Sequence, residues 1–352
     1  MKYKNRMVAG LQVELQLRKK ESGDSRIETI YFGGGTPSVL ESTAIDEIID
    51  TIYANYEVID DPEITLEANP DDLTPEKIEA LAKTKINRLS IGVQSFFEED
   101  LKLMNRAHNA AEAMECISLS RKRFPNISID LIYGIPGLTD DRWRENLYIA
   151  LELNVPHISS YALTVEDDTA LKSYIEKGII DAVDDDQAQR QFNILLDMMQ
   201  LHSYENYEFS NFGKAGYFSK NNTAYWTGKS YIGIGPSAHS FDGKRRAWNI
   251  NNNIKYLKAV EQGELPREVE VLTSIDRYNE YIMTGLRTIY GVSLPHIEKE
   301  YGLKFKEYLL DQAQTYLKDH LLYLDDDILI VTRKGKFLSD GIASELFMLN
   351  VN

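Results

Sequence analysis

Along residues 1–165 the apolar positions change period again and again. Short runs rich in β-branched and aromatic residues, "IETIYF", "EITLEAN", "NRLSIGVQ", "ISIDLIYG" and "HISSYALT", predict strands. Between them, apolar residues recur every three or four positions in "STAIDEIIDTIYANY", "TPEKIEALAKT", "NAAEAMECISLSRKRF" and "TDDRWRENLYIALEL", which predicts helices. Thr74 stands at an N-cap position, with Pro75 at the first helical position after it. Strands alternating with helices of this length imply parallel βαβ units that present ligands at the carboxyl ends of the strands. The series opens on a helix, "GLQVELQLRK", so a closed barrel lacks one strand.

After Thr164 the pattern changes. Two helices are expected over residues 167–177 and 184–203, joined by the acidic turn "DAVDDD", a solvated cap. Next come "YENYEFSNF", the aromatic and glycine-rich "YWTGKSYIGIGPSAHSF", and helices over 253–260 and 274–288. The remainder reads as two helices, then strand, turn and strand, a small winged-helix-like arrangement. Its acidic "DDDILIV" hairpin argues against DNA reading. Three regions result: a partial barrel over 1–165, a helical and strand extension completing the core and pocket over 166–265, and a C-terminal domain over 266–352.

Composition narrows the classes. With 55 acidic against 39 basic side chains the net charge is −16, which disfavours a nucleic-acid backbone as partner. No apolar run is long enough to span a membrane and no signal peptide is evident, so the cytoplasm is the expected location. The single cysteine, Cys116, lies in a helical pattern and is expected to be a buried core thiol. The six histidines show no metal-ligand spacing.

Candidate chemistry concentrates at strand ends. "YFGGGTPSVL" follows a strand, but it is neither GxGxxG nor GxxxxGK[ST], which disfavours nucleotide phosphate. Gly33, Gly34, Gly35 and Thr36 instead expose backbone donors and acceptors suited to a zwitterionic amino-acid moiety. Glu67, Gln94 with Ser95, and Asp130 with Tyr133 end the next strands; Thr65 and Glu67 share the face opposite Ile64 and Leu66, looking into the barrel. Together these groups suit ribose hydroxyls and an ammonium. Arg106 offers a carboxylate or ring contact, and His108 beside it fits a helix start as well as a catalytic role. Farther on, Tyr161, Asn211, Tyr225, Trp226, Gly233, Gly235 and His239 lie in segments dense with aromatic and small residues; Tyr225 and Trp226 are candidates for a broad flat pocket, with core the commoner reading of such a stripe, and His239 for a ligand or proton donor, with structural hydrogen bonding favoured.

"IYFGGGTPSVL", "EANP", "LSIGVQSF", "LMNRAHN", "IDLIYGIPG", "YEFSNF" and "NNTAYWTGKSYIGIGPSAHSF" together resemble the oxygen-independent coproporphyrinogen III oxidase-like group of radical S-adenosylmethionine (SAM) proteins over nearly the whole chain. The resemblance implies an incomplete (β/α)6 radical-SAM-type barrel, its first strand missing, with a small C-terminal α+β winged-helix-like domain. It implies S-adenosyl-L-methionine at Gly33, Gly34, Gly35, Thr36, Glu67, Gln94, Arg106 and Asp130, with Ala162 beside the adenine. Within the group the haem-chaperone branch fits best: haem or another tetrapyrrole bound for delivery to respiratory membrane haemoproteins, with a homodimer left open. The alternatives are a coproporphyrinogen III dehydrogenase and a cluster-free binding protein derived from the family.

The family is also an iron-sulfur, metal-binding one. Its members carry CxxxCxxC after the first barrel strand, holding a [4Fe–4S] cluster; here neither the strand nor the motif is present. A truncation or a start codon set too late accounts for both omissions at once, so the cluster is expected only for a full-length member. The family's His-Asn before Tyr-Trp is here Asn221-Asn222, which alters any role of that histidine in haem binding.

Overall fold

The computed structural model describes residues 3–165, 167 and 170–349. They form two compact units, one made of Met1–Ile27, Glu47–Asp60 and Lys220–Asn352, the other of Glu28–Asp46 and Asp61–Ser219. In chain order the elements begin with α1 (Lys4–Leu17), β1 (Ile27–Phe32), α2 (Ser42–Asn55), β2 (Val58–Ala68), α3 (Pro75–Leu81), β3 (Arg88–Gln94), α4 (Glu98–Leu103) and α5 (Ala110–Ser120). They continue with β4 (Asn126–Tyr133), α6 (Asp140–Glu152), β5 (His157–Ala162), α7 (Ala170–Glu176), α8 (Asp185–Leu201), β6 (Glu205–Glu208) and β7 (Asn211–Gly213).

A seven-stranded sheet of order β1-β2-β3-β4-β5-β7-β6 forms the second unit's centre. Its strands β2 to β5 run parallel, and β7 is antiparallel to both neighbours. Period-two alternation decides what each face meets. Ile64, Leu66, Leu89, Ile91, Ile127, Ile129, Leu131 and Ile158 are buried on the helix-covered face. The inner face is polar, with Thr65, Glu67, Arg88, Ser90, Ser128, Asp130, His157 and Ser159 in successive layers. Such a face is tolerated only where its groups bond one another. Ser128 Oγ and His157 Nδ1 are 2.7 Å apart, and His157 Nε2 lies 2.8 Å from the Tyr207 hydroxyl.

Local chemistry sets the helix starts. The Thr74 hydroxyl accepts from the Lys77 N–H with Pro75 at the first position, as the sequence predicts. Asn109 and Glu112 form a capping box that opens α5. Helix α4 was not expected; "EEDLKL" is too short to show a periodic pattern. The helix predicted over 167–177 is seen as α7, and residues 166, 168 and 169 lie outside the described residues.

In the first unit, α9 (Lys220–Trp226), β8 (His239–Phe241), β9 (Arg245–Asn249), α10 (Asn253–Glu261) and β10 (Arg267–Val271) follow. The antiparallel sheet β10-β9-β8 is absent from the sequence expectation. The chain ends with α11 (Ser274–Leu286), β11 (Val292–Ser293), α12 (Leu294–Tyr301), α13 (Leu303–Lys318), β12 (Leu322–Asp325), β13 (Ile328–Val331) and α14 (Ser339–Glu345). A second small sheet, β11-β13-β12, packs with these helices around Tyr278, Ile282, Ile297, Leu309 and Leu329. Buried Glu14 on α1 accepts from Arg18 (3.2 Å), the Gly235 N–H (2.8 Å), Asn249 Nδ2 (2.7 Å) and the Tyr256 hydroxyl (2.6 Å). Among the described residues no helix is long and apolar enough to cross a membrane.

Candidate functional site

The glycine loop leaves β1 at Phe32. Gly34 and Gly35 both have φ of +73°, the left-handed region that glycine enters without strain, and beside both lies open space. Gly33 is closely packed instead: a Cβ there would lie 2.6 Å from Tyr31 Cε1 and 2.9 Å from Glu67 Oε1, so those side chains would have to shift. The loop closes on Glu67, which accepts from the Tyr31 hydroxyl (2.7 Å) and the Gly34 N–H (3.2 Å). Burial first, then the Glu67 charge, raises the Tyr31 phenol well above its ordinary value, so it stays a donor. Thr36 begins the short turn Pro37–Val39 through its backbone, with no capping bond from its hydroxyl. Ser38 ties the turn to Asp72 (2.7 Å).

At the end of β3 the register shifts and Gln94 takes φ of 68°. With its amide oriented to satisfy both ends, Nε2 donates to the Gly92 carbonyl (3.1 Å) and Oε1 accepts from Arg106 Nη2 (3.3 Å). Partial burial lowers Arg106 from its ordinary value, while Asp130 and Asp71 act the other way. Asp130, on β4, is pushed up to about 7, mostly by burial and then by the Glu67 charge; Ser159, Arg88 and Arg106 oppose the shift. Ala162 is exposed at the end of β5.

The structure thus brings Gly33, Gly34, Glu67, Gln94, Arg106 and Asp130 to one end of one sheet. Other candidates have different places. Tyr133 points to the helix-covered face, 5.9 Å from the Trp143 ring and 6.1 Å from that of Phe192. Ser95 is buried and bonded to Asp100 (2.7 Å), and His108 is a buried structural residue 3.1 Å from the Val93 carbonyl. Asn211 is buried on β7, bonded to Ser159, and Tyr161 stands half exposed on β5. In the other unit, Tyr225 stacks near Tyr231 (4.3 Å), Trp226 lies under Arg287 (5.4 Å), and His239 is exposed 6.2 Å from Trp248. Gly235 has φ of +110°, and a Cβ on Gly233 would collide with the His239 carbonyl oxygen. Tyr31 is the site residue that sequence reasoning missed; its position two residues before the glycines, on the Glu67 side of the strand, is the signal that would have found it.

Two family profiles match, the Radical SAM superfamily over residues 10–147 and the HemN C-terminal domain over 272–338. The chain is 32% identical to the haem chaperone HemW of Lactococcus lactis, over 93% of this chain and 86% of that protein. The same protein of Bacillus subtilis is 31% identical over 92% of this chain and 86% of its own length. The chain belongs to the HemW/HemN group of the radical SAM superfamily. A zebrafish relative, the mitochondrial radical S-adenosyl methionine domain-containing protein 1, is 29% identical over 97% of this chain and 80% of that one. The solved structure of Escherichia coli coproporphyrinogen III oxidase (HemN), described as a radical SAM enzyme, superposes with a TM-score of 0.83 at 23% identity, covering 98% of this chain and 83% of that one. That likeness fixes the fold: an incomplete, curled sheet with a smaller C-terminal α/β region.

The iron-sulfur and metal-binding character implied by the resemblance is corrected here. Among the described residues no three or more His, Cys, Asp and Glu side chains group as a metal site. Cys116 is the chain's one cysteine, buried in α5, and burial raises its thiol to about 12. One thiol cannot supply the three thiolates that a CxxxCxxC cluster needs. The chain's residues do not fit a cluster.

Proposed function

We propose that the chain is a haem-chaperone-like protein that takes an adenosylmethionine-type ligand at the strand ends and holds haem, or another tetrapyrrole, for delivery to respiratory haemoproteins. The observation that carries this is identity of 31–32% over 92–93% of the chain to two proteins named as haem chaperones. The curled sheet corresponds, on this reading, to a (β/α)6 barrel short of one strand, and residues 272–338 to a winged-helix-like module.

The strand-end residues fit an adenosyl ligand in kind. Gly34 and Gly35 leave space for close backbone approach, and Glu67, Asp130 and Gln94 offer the acceptors and donors that a ribose and an ammonium require. Such a ligand supplies a sulfonium; this chain's residues bind and orient it. Affinity is expected to be weak, because no iron chelates the amino-acid end. The likeness to HemN is one of fold and lends no weight to a dehydrogenase.

The test is a haem titration followed in the Soret region, then incubation with an apo-haemoprotein. A red-shifted band that saturates at one haem per chain and moves to the acceptor is expected. Absorbance rising without saturation, or haem that never transfers, overturns the proposal.

A further inference from the structure

The buried pair of Glu14 on α1 and Arg18 just after it ties down the loop that leads into β8. Arg18 Nη1 donates to the Gly233 carbonyl (2.6 Å), and Glu14 accepts from the Gly235 N–H (2.8 Å). Asn249 Nδ2 donates to the Gly235 carbonyl (2.8 Å), and the Gly233 N–H donates to Ser240 Oγ (3.1 Å). The loop is bent as well as tied: Gly235 has φ of +110°, and Ser237, which carries a Cβ, has φ of 60°. Buried charges and a left-handed serine both oppose folding unless the conformation they fix is used. What that conformation presents is His239, the first residue of β8, exposed to solvent.

Register places aromatic rings beside it. His239 pairs with Trp248 and Phe241 with Arg246 across β8 and β9, so these four side chains share one face of the sheet. Tyr231 bridges to Phe241 at the outer edge of β8, with their rings 6.2 Å apart. Adjacent strands lie about 4.8 Å apart and alternate residues about 7 Å apart, so a planar macrocycle centred over His239 covers both Trp248 and Phe241. Charge gives that plane a direction. Glu268 and Glu270 on β10 pair with Trp248 and Arg246, so acidic groups line the far side of the face. At the β8–β9 turn, beyond Phe241, Arg245 pairs with Asp242 (2.8 Å) and Lys244 stands exposed. Carboxylates on the ligand are repelled from β10 and drawn to the turn.

The other histidines have different settings. His108 and His157 are buried and bonded, and His296 is taken up between the rings of Tyr281 (4.5 Å) and Tyr301 (6.2 Å). His202 and His320 lie in the turns that end α8 and α13. We propose that His239 is the axial ligand through which the chain holds the iron of haem, with Trp248 and Phe241 packed against the porphyrin and its propionates toward Lys244. This rests on the haem-holding reading above. A histidine nitrogen is an established kind of haem ligand, and a single ligand on an open face suits a cargo that has to leave.

The test reads haem and iron-free protoporphyrin IX separately, in wild type and in variants whose folded state is checked by circular dichroism. The reduced haem complex of wild type is expected to show an iron–histidine stretching band in its resonance Raman spectrum. In His239→Ala that band is expected to vanish and haem affinity to fall about tenfold, while protoporphyrin IX affinity, followed by fluorescence, stays within about threefold. Added imidazole should restore an iron–imidazole band in His239→Gly, and Trp248→Leu should weaken both porphyrins. A wild-type haem complex without the band, a band that persists in His239→Ala, or protoporphyrin IX binding lost together with haem binding in a folded His239→Ala overturns the ligand role and leaves the haem reading standing. Haem that never saturates on wild type overturns the haem reading, and this inference with it.

Discussion

Asp130 is a buried carboxyl group at the strand ends, and stability should register its titration. The folded-state value of Asp130, about 7, lies above the ordinary carboxyl value near 4. The folded chain therefore holds the extra proton between those limits, and stability is greatest below the lower one and lost as pH rises to the upper one. Asp130→Asn removes the titration, so its melting temperature is expected to exceed that of wild type at pH 8 and to match it near pH 4. Equal differences at both pH values would discard the assignment. The glycines make a second contrast. Gly34→Ala forces a left-handed alanine into open space and should cost about 1 kcal/mol of stability. Gly33→Ala drives a methyl group against Tyr31 and Glu67 and should break their bond, with a similar loss in urea melts and weaker S-adenosylhomocysteine binding. Retention of wild-type affinity in Gly33→Ala would contradict the close-packing role. The glycines and Glu67 were legible because turn chemistry and period-two alternation are local. The Asn211 lock on Ser159 was not, since it joins residues 52 apart in sequence through an amide orientation no pattern encodes.

At the scale of elements, the five strands of the alternating region were legible because apolar runs between capped helices have few other structures open to them. The sheet β10-β9-β8 was missed for a physical reason. "RRAWN" shows no period-two alternation, and "REVEV" alternates but has four of its five residues exposed, so burial leaves a weak mark on the sequence. Long-range polar anchors were equally hidden. Asn146 on α6 accepts from the Phe96 N–H (2.7 Å) and Ser95 Oγ (3.2 Å), fixing the loop that follows Gln94. Asn146→Ala strands that buried N–H and should cost about 1–3 kcal/mol, with faster amide exchange at Phe96. An unchanged exchange rate would show that the loop is held by other contacts. Glu14 on α1 is the corresponding anchor of the other unit. Glu14→Gln puts an amide among four donors and weakens the compensation of buried Arg18, which keeps Glu21 at 2.8 Å. A loss of about 3 kcal/mol in urea denaturation is expected, and a neutral result would mean that the pair is dispensable.

For the whole molecule, the sequence motifs that carry the lineage and the residues that would carry its redox chemistry separate cleanly. Fold and lineage depend on hundreds of weak contacts, and identity near 30% over almost the full length preserves them. Cluster chemistry depends on a few thiolates, and one buried cysteine cannot replace them. The chain's residues offer added iron no cluster site, so binding at the strand ends should not change when iron is supplied. Anaerobic incubation of the 352-residue chain with ferrous iron, sulfide and reductant, followed by desalting, is expected to leave no stoichiometric iron or sulfide on the protein. S-adenosylhomocysteine titrations before and after that treatment should coincide. Retention of a complete cluster per chain, with its visible charge-transfer absorption, would show that side chains other than cysteine thiolates hold the metal, and a gain in affinity alongside it would show that the ligand site had been incomplete.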